Sequence, residues 1–417
     1  RLVLTTMSSK SKADILAARA HIASGDELRR LVVRFGAAAL PRLAAWFAFL
    51  DRSQKSSHKA GCYKWAGRTG AHCLASGLDD YPRGLLVNED ECHLDLHAWM
   101  ALFASILAAL CHHLSGSSLL QSDKAAALCT KPNWAGRVQA LNTSLHEVFA
   151  PTDSRKPLAD FIGKQPIDRK KNVQVIPPWR SDGRCGPHVG GGECDPYGGG
   201  PCCSPSGWCG GSPDFCDCPG CVRFAPLEER KFTGLPSHSP HLGYASLFPV
   251  LLGLLPWDHP RALPLLDALQ PQEGKKSVNT LWSAHGVMSL SSRDPLFRQG
   301  EDYWRGKVWA NLNFLTISAL RPGVKTSGTA VLERIEAARA SLSRGFVSTV
   351  INALQQQHFF FENFDPASGE GRGVGPFTGW TTLLVLIMAD EPVVIDLHHL
   401  LDSKATAGDG DASGGIG

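Results

Sequence analysis

The stretch Glu91-Cys92-His93-Leu94-Asp95-Leu96-His97-Ala98-Trp99-Met100-Ala101-Leu102-Phe103-Ala104-Ser105-Ile106-Leu107-Ala108-Ala109-Leu110-Cys111-His112-His113-Leu114 decides the fold class. Leu94, Trp99, Leu102, Phe103, Ile106, Leu107 and Leu110 recur at helical spacing and give one helix a wide buried face. Its longest apolar run, Ala98–Leu110, is too short to span a bilayer. The same period returns along the chain. Asp26 reads as an N-cap before Leu28, Leu31, Val32 and Phe35; Pro41 interrupts that helix, and a second apolar face follows through Trp46, Phe47 and Leu50. Trp134–Phe149 reads as a helix with Val138, Leu141, Leu145 and Val148 inward. So do Leu242–Leu255, kinked or split at Pro249, then Glu301–Leu320, Gly328–Gln356 and Phe377–Met388. Strand signals are scarce. Long helices joined by loops point to an all-α chain of stacked antiparallel hairpins.

The 417 residues carry a formal charge of +3 from well-mixed signs, with no basic stripe for nucleic acid and no acidic tail for a basic partner. Eight of the thirteen cysteines lie between Cys185 and Cys221, in a Gly/Pro-rich stretch that suggests disulfides and an oxidising compartment. The sequon Asn142-Thr143-Ser144 makes Asn142 a candidate glycosylation site. His112-His113 and His398-His399 are adjacent rather than at metal-ligand spacing, and calcium and phosphate motifs are absent, so no metal or cofactor is expected. The chain opens on Arg1 without a signal peptide and reads as a fragment.

Ser76-Gly77-Leu78-Asp79-Asp80-Tyr81-Pro82-Arg83 sets two carboxylates between a glycine and a proline, a loop rather than a helix interior. Taken alone, the pair reads as a cap for a helix after Pro82 or as catalytic. Further stretches follow in order: His93-Leu94-Asp95-Leu96-His97-Ala98-Trp99, Gly243-Tyr244-Ala245-Ser246-Leu247-Phe248-Pro249, Tyr303-Trp304-Arg305-Gly306-Lys307-Val308-Trp309-Ala310-Asn311, Phe361-Glu362-Asn363-Phe364-Asp365-Pro366 and Gly375-Pro376-Phe377-Thr378-Gly379-Trp380. Together these six resemble the processing alpha-glucosidase I family, the mannosyl-oligosaccharide glucosidases of glycoside hydrolase family 63. The resemblance implies an (α/α)6 toroid, incomplete here at the N-terminus, with a membrane anchor and a β-domain upstream. An open toroid of this kind is expected to be unstable alone.

Carried over residue by residue, the resemblance makes Asp79 the general acid and Glu362 the general base of an inverting glycosidase. Inversion needs carboxyl groups about 6.5–9.5 Å apart, with a water on the base side. Asp80, next door, is one reason for a raised Asp79 pKa. Arg83 is expected to pair with Asp79 or Asp80, the latter being the better partner for an acid role at Asp79. Tyr303, Trp304 and Arg305 match the glucose-pocket stretch, where aromatic faces stack on sugar and a guanidinium holds hydroxyls. Trp309 and Asn311 read as core and supporting residues further along the same helix. Trp282-Ser283-Ala284-His285-Gly286 resembles another pocket loop, and Trp380 belongs to the last motif. Glu91 and Asp95, four apart on one helix face, match an acidic pair suspected of holding substrate. Carboxylates at a helix start explain them nearly as well.

The order of Cys185, Cys194, Cys202-Cys203, Cys209, Cys216, Cys218 and Cys221 resembles the hevein-like chitin-binding module. Eight cysteines alone allow on the order of a hundred pairings. The resemblance implies Cys185–Cys203, Cys194–Cys209, Cys202–Cys216 and Cys218–Cys221. Its sugar-stacking positions fall on Ser204, Ser206, Trp208 and Phe215, and Ser206 stands where an aromatic is usual. Weak N-acetylglucosamine binding and a disulfide-stapled surface decoration both fit.

The domain reading is therefore toroid over 1–160 with the acid loop, linker over 161–182, cysteine-rich insert over 183–224, toroid over 225–402 with the base loop, and a disordered tail over 403–417. The function implied is removal of the terminal α-1,2-linked glucose from the triglucosylated N-glycan precursor in the endoplasmic reticulum lumen. Its partner is the oligosaccharide on nascent glycoproteins, and the molecule is a monomer that binds no nucleic acid. Two alternatives stand beside it: an inactive, lectin-like protein, and a different α-glucosidase or trehalase-like toroid.

Overall fold

The computed structural model describes residues 25–70, 72–84, 87–114, 123–130, 132–164, 167–168, 173–174, 182–189, 193–196, 199–224, 236–271, 280–321 and 329–389. The expectations for residues 1–24, for the tail 403–417 and for most of the 161–182 linker lie outside them. Contacts divide the chain into two units. One comprises residues up to 49, 102–139 and from 385; the other comprises 50–101 and 140–384.

The first unit is built from α1 (Gly25–Ser53, through Phe49), the second half of α2 (Leu94–Leu114), α3 (Asp123–Thr130) and the start of α4 (Trp134–Val148). Pro41 does not interrupt α1, and Asp26 lies inside the helix rather than capping it. Pro41 is exposed, so water can satisfy the carbonyl one turn back that loses its N–H partner. Leu40, Ala44 and Phe47 form the buried stripe, whereas Phe35 and Trp46, expected inward, are exposed. Phe47 meets Phe103 and Trp134 edge-on at 5.5 and 5.2 Å, and Cys111–Cys129 ties α2 to α3.

The second unit carries everything that positions the carboxylates. Its helices are the first half of α2, the rest of α4, α5 (Pro213–Cys216), α6 (Tyr244–Leu251), α7 (Leu263–Ala268), α8 (Ala310–Ala319), α9 (Thr329–Gln357) and the Trp380–Leu383 turn that leads into α10 (Leu384–Ala389). Three helix expectations shrink here. Residues 301–309 are loop and strand ahead of α8, α6 covers only Tyr244–Leu251 of the expected 242–255 with Pro249 inside it, and Phe377–Gly379 precede the last helical turn.

Short strands, missed by periodicity because most are two residues long, do the positioning. The first is β1 (Phe161–Lys164), the next two are β2 (Ile167–Asp168) and β3 (Val173–Gln174), and β4 (Cys202–Cys203), β5 (Cys209–Gly210) and β6 (Val222–Arg223) make the sheet of the cysteine-rich stretch. Then come β7 (Pro236–His238), the β8–β9 hairpin (Trp282–Ser283, Gly286–Val287), and the antiparallel sheet β10 (Val308–Trp309), β11 (Asn363–Phe364), β12 (Gly371–Arg372). Phe161–Lys164, read as linker, is a strand paired with β7, which joins the two flanks of the insert.

Asn313 is the hidden centre of this unit. Its side chain accepts from the Val287 N–H at 2.7 Å and donates to the carbonyls of Val287 and Trp309 at 3.1 and 2.8 Å. A fully buried amide so satisfied locks β8–β9 against α8.

Candidate active site

The acid loop is shaped by its own backbone. Gly77 takes φ +70°, the left-handed region glycine enters without strain, and ends the short turn Leu74–Ser76. The Cys73 N–H donates to the Asp79 carbonyl at 2.7 Å, and Ser76 Oγ donates to the Cys73 carbonyl at 2.6 Å. The described residues directly after Pro82 are loop and the next helix begins at Leu94, so there is no adjacent helix for Asp79 and Asp80 to cap.

The two aspartates have separate environments. Asp80 is buried and takes the N–H groups of Tyr303 at 3.2 Å and Trp304 at 2.5 Å, while Arg305 Nε donates to its backbone carbonyl at 2.8 Å. Asp79 is half-buried. Partial burial raises its pKa, and the charges of Asp80, Glu301 and Glu362 add to the rise against an opposing His72.

Glu362 stands at the mouth of β11 and is 8% exposed. Its Oε2 accepts the Val374 N–H at 3.2 Å, and its Oε1 accepts the Tyr303 hydroxyl at 2.5 Å. Trp380 Nε1 donates to its carbonyl at 2.8 Å. Gly373 lies so close that a Cβ there would stand 2.3 Å from Oε2, and its φ of +72° independently favours glycine.

Tyr303 therefore joins the two loops, its N–H on Asp80 and its hydroxyl on Glu362. Burial, then Glu362, push its own pKa up, so it remains the donor. Its loop is anchored further by Lys307 on Asp302 at 2.8 Å and by Arg298 on Asp365 at 2.8 Å. Burial works to raise the Asp365 pKa, but the Ala367 and Ser368 N–H groups with Arg298 and Lys307 outweigh it and hold it below the usual range. Trp304 is only 3% exposed and stacks on buried Trp309 at 3.8 Å, which makes it core; its N–H, not its ring, serves the site. Trp309 sits on β10 rather than along a helix with Tyr303.

Other expected site residues are engaged with protein partners. Arg83 does not pair with Asp79 or Asp80. It is buried, forks onto Asp95 at 2.6 Å and meets Asp160 at 2.7 Å, because the Tyr81-Pro82 turn carries it to the far side. These two carboxylates outweigh the cost of burial and keep it charged. Glu91 precedes α2 instead of sharing its face with Asp95; it pairs with Arg68 at 2.9 Å and accepts from His93 Nε2 at 3.2 Å. The Trp65 N–H occupies His93 Nδ1, and burial with Arg83 and Arg68 nearby keeps that imidazole neutral. Asp160, missed in the sequence, also accepts the Leu94 N–H at 2.7 Å and so starts α2. Trp282, on β8, is half-buried with its indole on Ser341 of α9.

The sequence matches the model of the glycosyl hydrolase family 63 C-terminal domain over residues 4–135 and 229–390. The chain belongs to this family. The match omits 136–228, where the cysteine-rich stretch lies. A probable mannosyl-oligosaccharide glucosidase of Schizosaccharomyces pombe is 29% identical over 351 residues, 83% of this chain and 33% of that protein. A mannosyl-oligosaccharide glucosidase of Arabidopsis thaliana is 28% identical over 375 residues, 86% of this chain and 37% of that one. The chain thus spans about a third of the length of these curated relatives. A family 63 mannosylglycerate hydrolase of Thermus thermophilus, solved with glucose, is 17% identical, with a TM-score of 0.36 over 72% of this chain and 48% of that one.

Outside the family match, the structure joins Cys185 to Cys203, Cys194 to Cys209, Cys202 to Cys216 and Cys218 to Cys221. Ser204 is buried and bonded to Ser206 Oγ at 2.8 Å, so it presents no face to a sugar. Trp208 is 48% exposed, with the Arg184 guanidinium 5.3 Å from its ring centre on one face. Phe215 lies flat against Gly210, where a Cβ would stand 2.4 Å from its ring. Asn142 is exposed on α4.

Proposed function

We propose that this family 63 chain carries the catalytic carboxylates of an inverting α-glucosidase that removes the terminal α-1,2-linked glucose of the triglucosylated N-glycan precursor. The observation that carries the reading is the double engagement of Tyr303 with Asp80 and Glu362, which gathers acid loop and base loop on one side chain. Glu362, an acceptor with its hydrogen-bond donors in place, takes a proton from water as that water attacks the anomeric carbon. Asp79, its pKa raised, gives its proton to the departing glycosidic oxygen. The product is β-glucose. Arg305 and the exposed edge of Tyr303 meet sugar hydroxyls, while Trp282, Trp380, Arg83, Glu91 and Asp95 support the pocket from behind.

The same reading takes residues 1–160 and 225–402 as parts of an (α/α)6 toroid, with 183–224 as an insert. It also takes the protein to be a monomer of the endoplasmic reticulum lumen with a glycan on Asn142. Six disulfides among the described residues fit an oxidising compartment of that kind.

The test is NMR of glucose release from a triglucosylated oligosaccharide by the full-length protein, its Asp79→Asn variant and its Glu362→Gln variant. The expected result is β-glucose from the parent and a loss of at least about a thousandfold in each variant. α-Glucose as first product, or turnover retained in either variant, overturns the assignment.

A further inference from the structure

A polar cavity of about 310 Å³ lies beside the base-bearing hairpin, and Glu362 is not part of its wall. Its walls are the last turns of α9, which present Asn352, Gln356 and Gln357, the β8–β9 turn, which presents His285, and the 368–371 turn with Phe361 beside it. We propose that this cavity is an accessory binding site for a neutral pyranose, separate from the carboxylate pair.

The chemistry of the walls selects that class. Carboxamides donate and accept side by side, as vicinal hydroxyls require. His285 adds a defined acceptor. Thr349 Oγ1 has a single proton, which it gives to the Gly345 carbonyl at 2.9 Å, so the 2.8 Å contact with His285 Nδ1 is satisfied by a proton on Nδ1. In the neutral ring Nε2 is then the acceptor. Phe361, packed between Gly371 and Phe359, closes the apolar side of the cavity. The single carboxylate of the lining, Glu370, is taken up by Arg372 at 2.7 Å, and neither lysine nor arginine lines the cavity, so an anion finds no counter-charge.

The concavity is built by glycines. A Cβ on Gly369 would stand 2.5 Å from His285 Nδ1, and Gly369 has φ +74°. A Cβ on Gly371 would stand 2.1 Å from the Phe361 ring. Side chains at these two positions would displace the imidazole and the aromatic wall. The volume falls at the small end of ligand sites, about 300–1,000 Å³, which suits one sugar ring rather than a long oligosaccharide. Phe361 adjoins Glu362 in sequence, so a glycan arm held here is kept on the base-bearing hairpin.

Hydrogen–deuterium exchange of the full-length protein, with and without saturating methyl α-D-glucopyranoside, tests this. The expected result is slowed exchange in residues 345–357 and 366–371, in addition to any change around 303–309. In the Asn352→Ala/Gln356→Ala double variant and in Gln356→Trp, which fills the cavity, that protection falls at least tenfold in sugar affinity while glucose release stays at the parental rate. No protection at 345–357, protection unchanged in both variants, or equal protection by inorganic phosphate overturns the proposal. None of these outcomes depends on whether Asp79 and Glu362 hydrolyse the substrate.

Discussion

The cysteine-rich insert and the carboxylate site are both made of loops and two-residue strands, yet they hold their shapes by opposite means. The insert has a core of half-cystines, with Cys185, Cys194 and Cys203 buried and Cys209 and Phe224 packed against them. Four covalent bonds within one short stretch need no support from elsewhere. The site draws Asp79, Tyr303 and Glu362 from distant parts of the chain and fixes them with hydrogen bonds and buried ion pairs. Covalent staples confine damage to one loop. A buried polar network spreads it, because each lost partner strands another charge.

Breaking that network should give the largest effect. Arg83→Leu leaves Asp95 and Asp160 buried without their cation, and the expected loss is about 3–5 kcal/mol of stability. Thermal melts of parent and variant measure it. A variant that melts with the parent would show that the acid loop stands without this anchor. The companion change in the insert, Cys202→Ser with Cys216→Ser, should cost about 2–4 kcal/mol, confined to residues 185–224 in hydrogen exchange, with glucose release unchanged. A fall in turnover there would mean that insert and site are coupled after all.

Next in size is Tyr303→Phe, which removes one charge-assisted hydrogen bond from Glu362 and keeps the ring. The expected loss is about tenfold to a hundredfold in kcat with KM little changed, since the hydroxyl orients the base. A rise in KM at constant kcat would move Tyr303 from positioning the base to holding sugar.

The legible parts of the site were those written as linear motifs. Asp79 and Glu362 each sit in a distinctive run of neighbours, and the Ser76–Arg83 loop declares itself through glycine and proline. The parts that depend on what loops meet in space were not legible. Nothing in Tyr303-Trp304-Arg305 says that two backbone N–H groups, rather than the rings, grip Asp80. Asp160 stands between Ala159 and Phe161 in a stretch that carries no motif, and only its Arg83 contact reveals a hub. Periodicity found α2 and α9 because long helices repeat, but it ran α8 back to Glu301, where apolar residues belong to β10 and its loop. Pro41 misled because exposure, which spares the cost of its missing N–H, is a tertiary property.

The smallest effect is the most diagnostic of the acid. Burial, with Asp80, Glu301 and Glu362 behind it, raises the folded-state pKa of Asp79 above its unfolded value, so the folded chain prefers the protonated form. The stability this contributes is fully present below the unfolded pKa, about 3.9, and is lost as pH rises through the folded value. At pH 7 the ionised Asp79 therefore opposes folding. Asp79→Asn removes that charge at almost constant shape. The inactive variant should melt at or above the parent at pH 7, by about 1 kcal/mol or less because the group is half-exposed, and the gap should close on acidification. Melts across that pH range give the answer. A parent more stable than Asp79→Asn at neutral pH would mean that the folded state favours the charged carboxylate, the opposite of what a general acid requires, and would leave Asp80 and Asp79 alike as structural anchors of the loop.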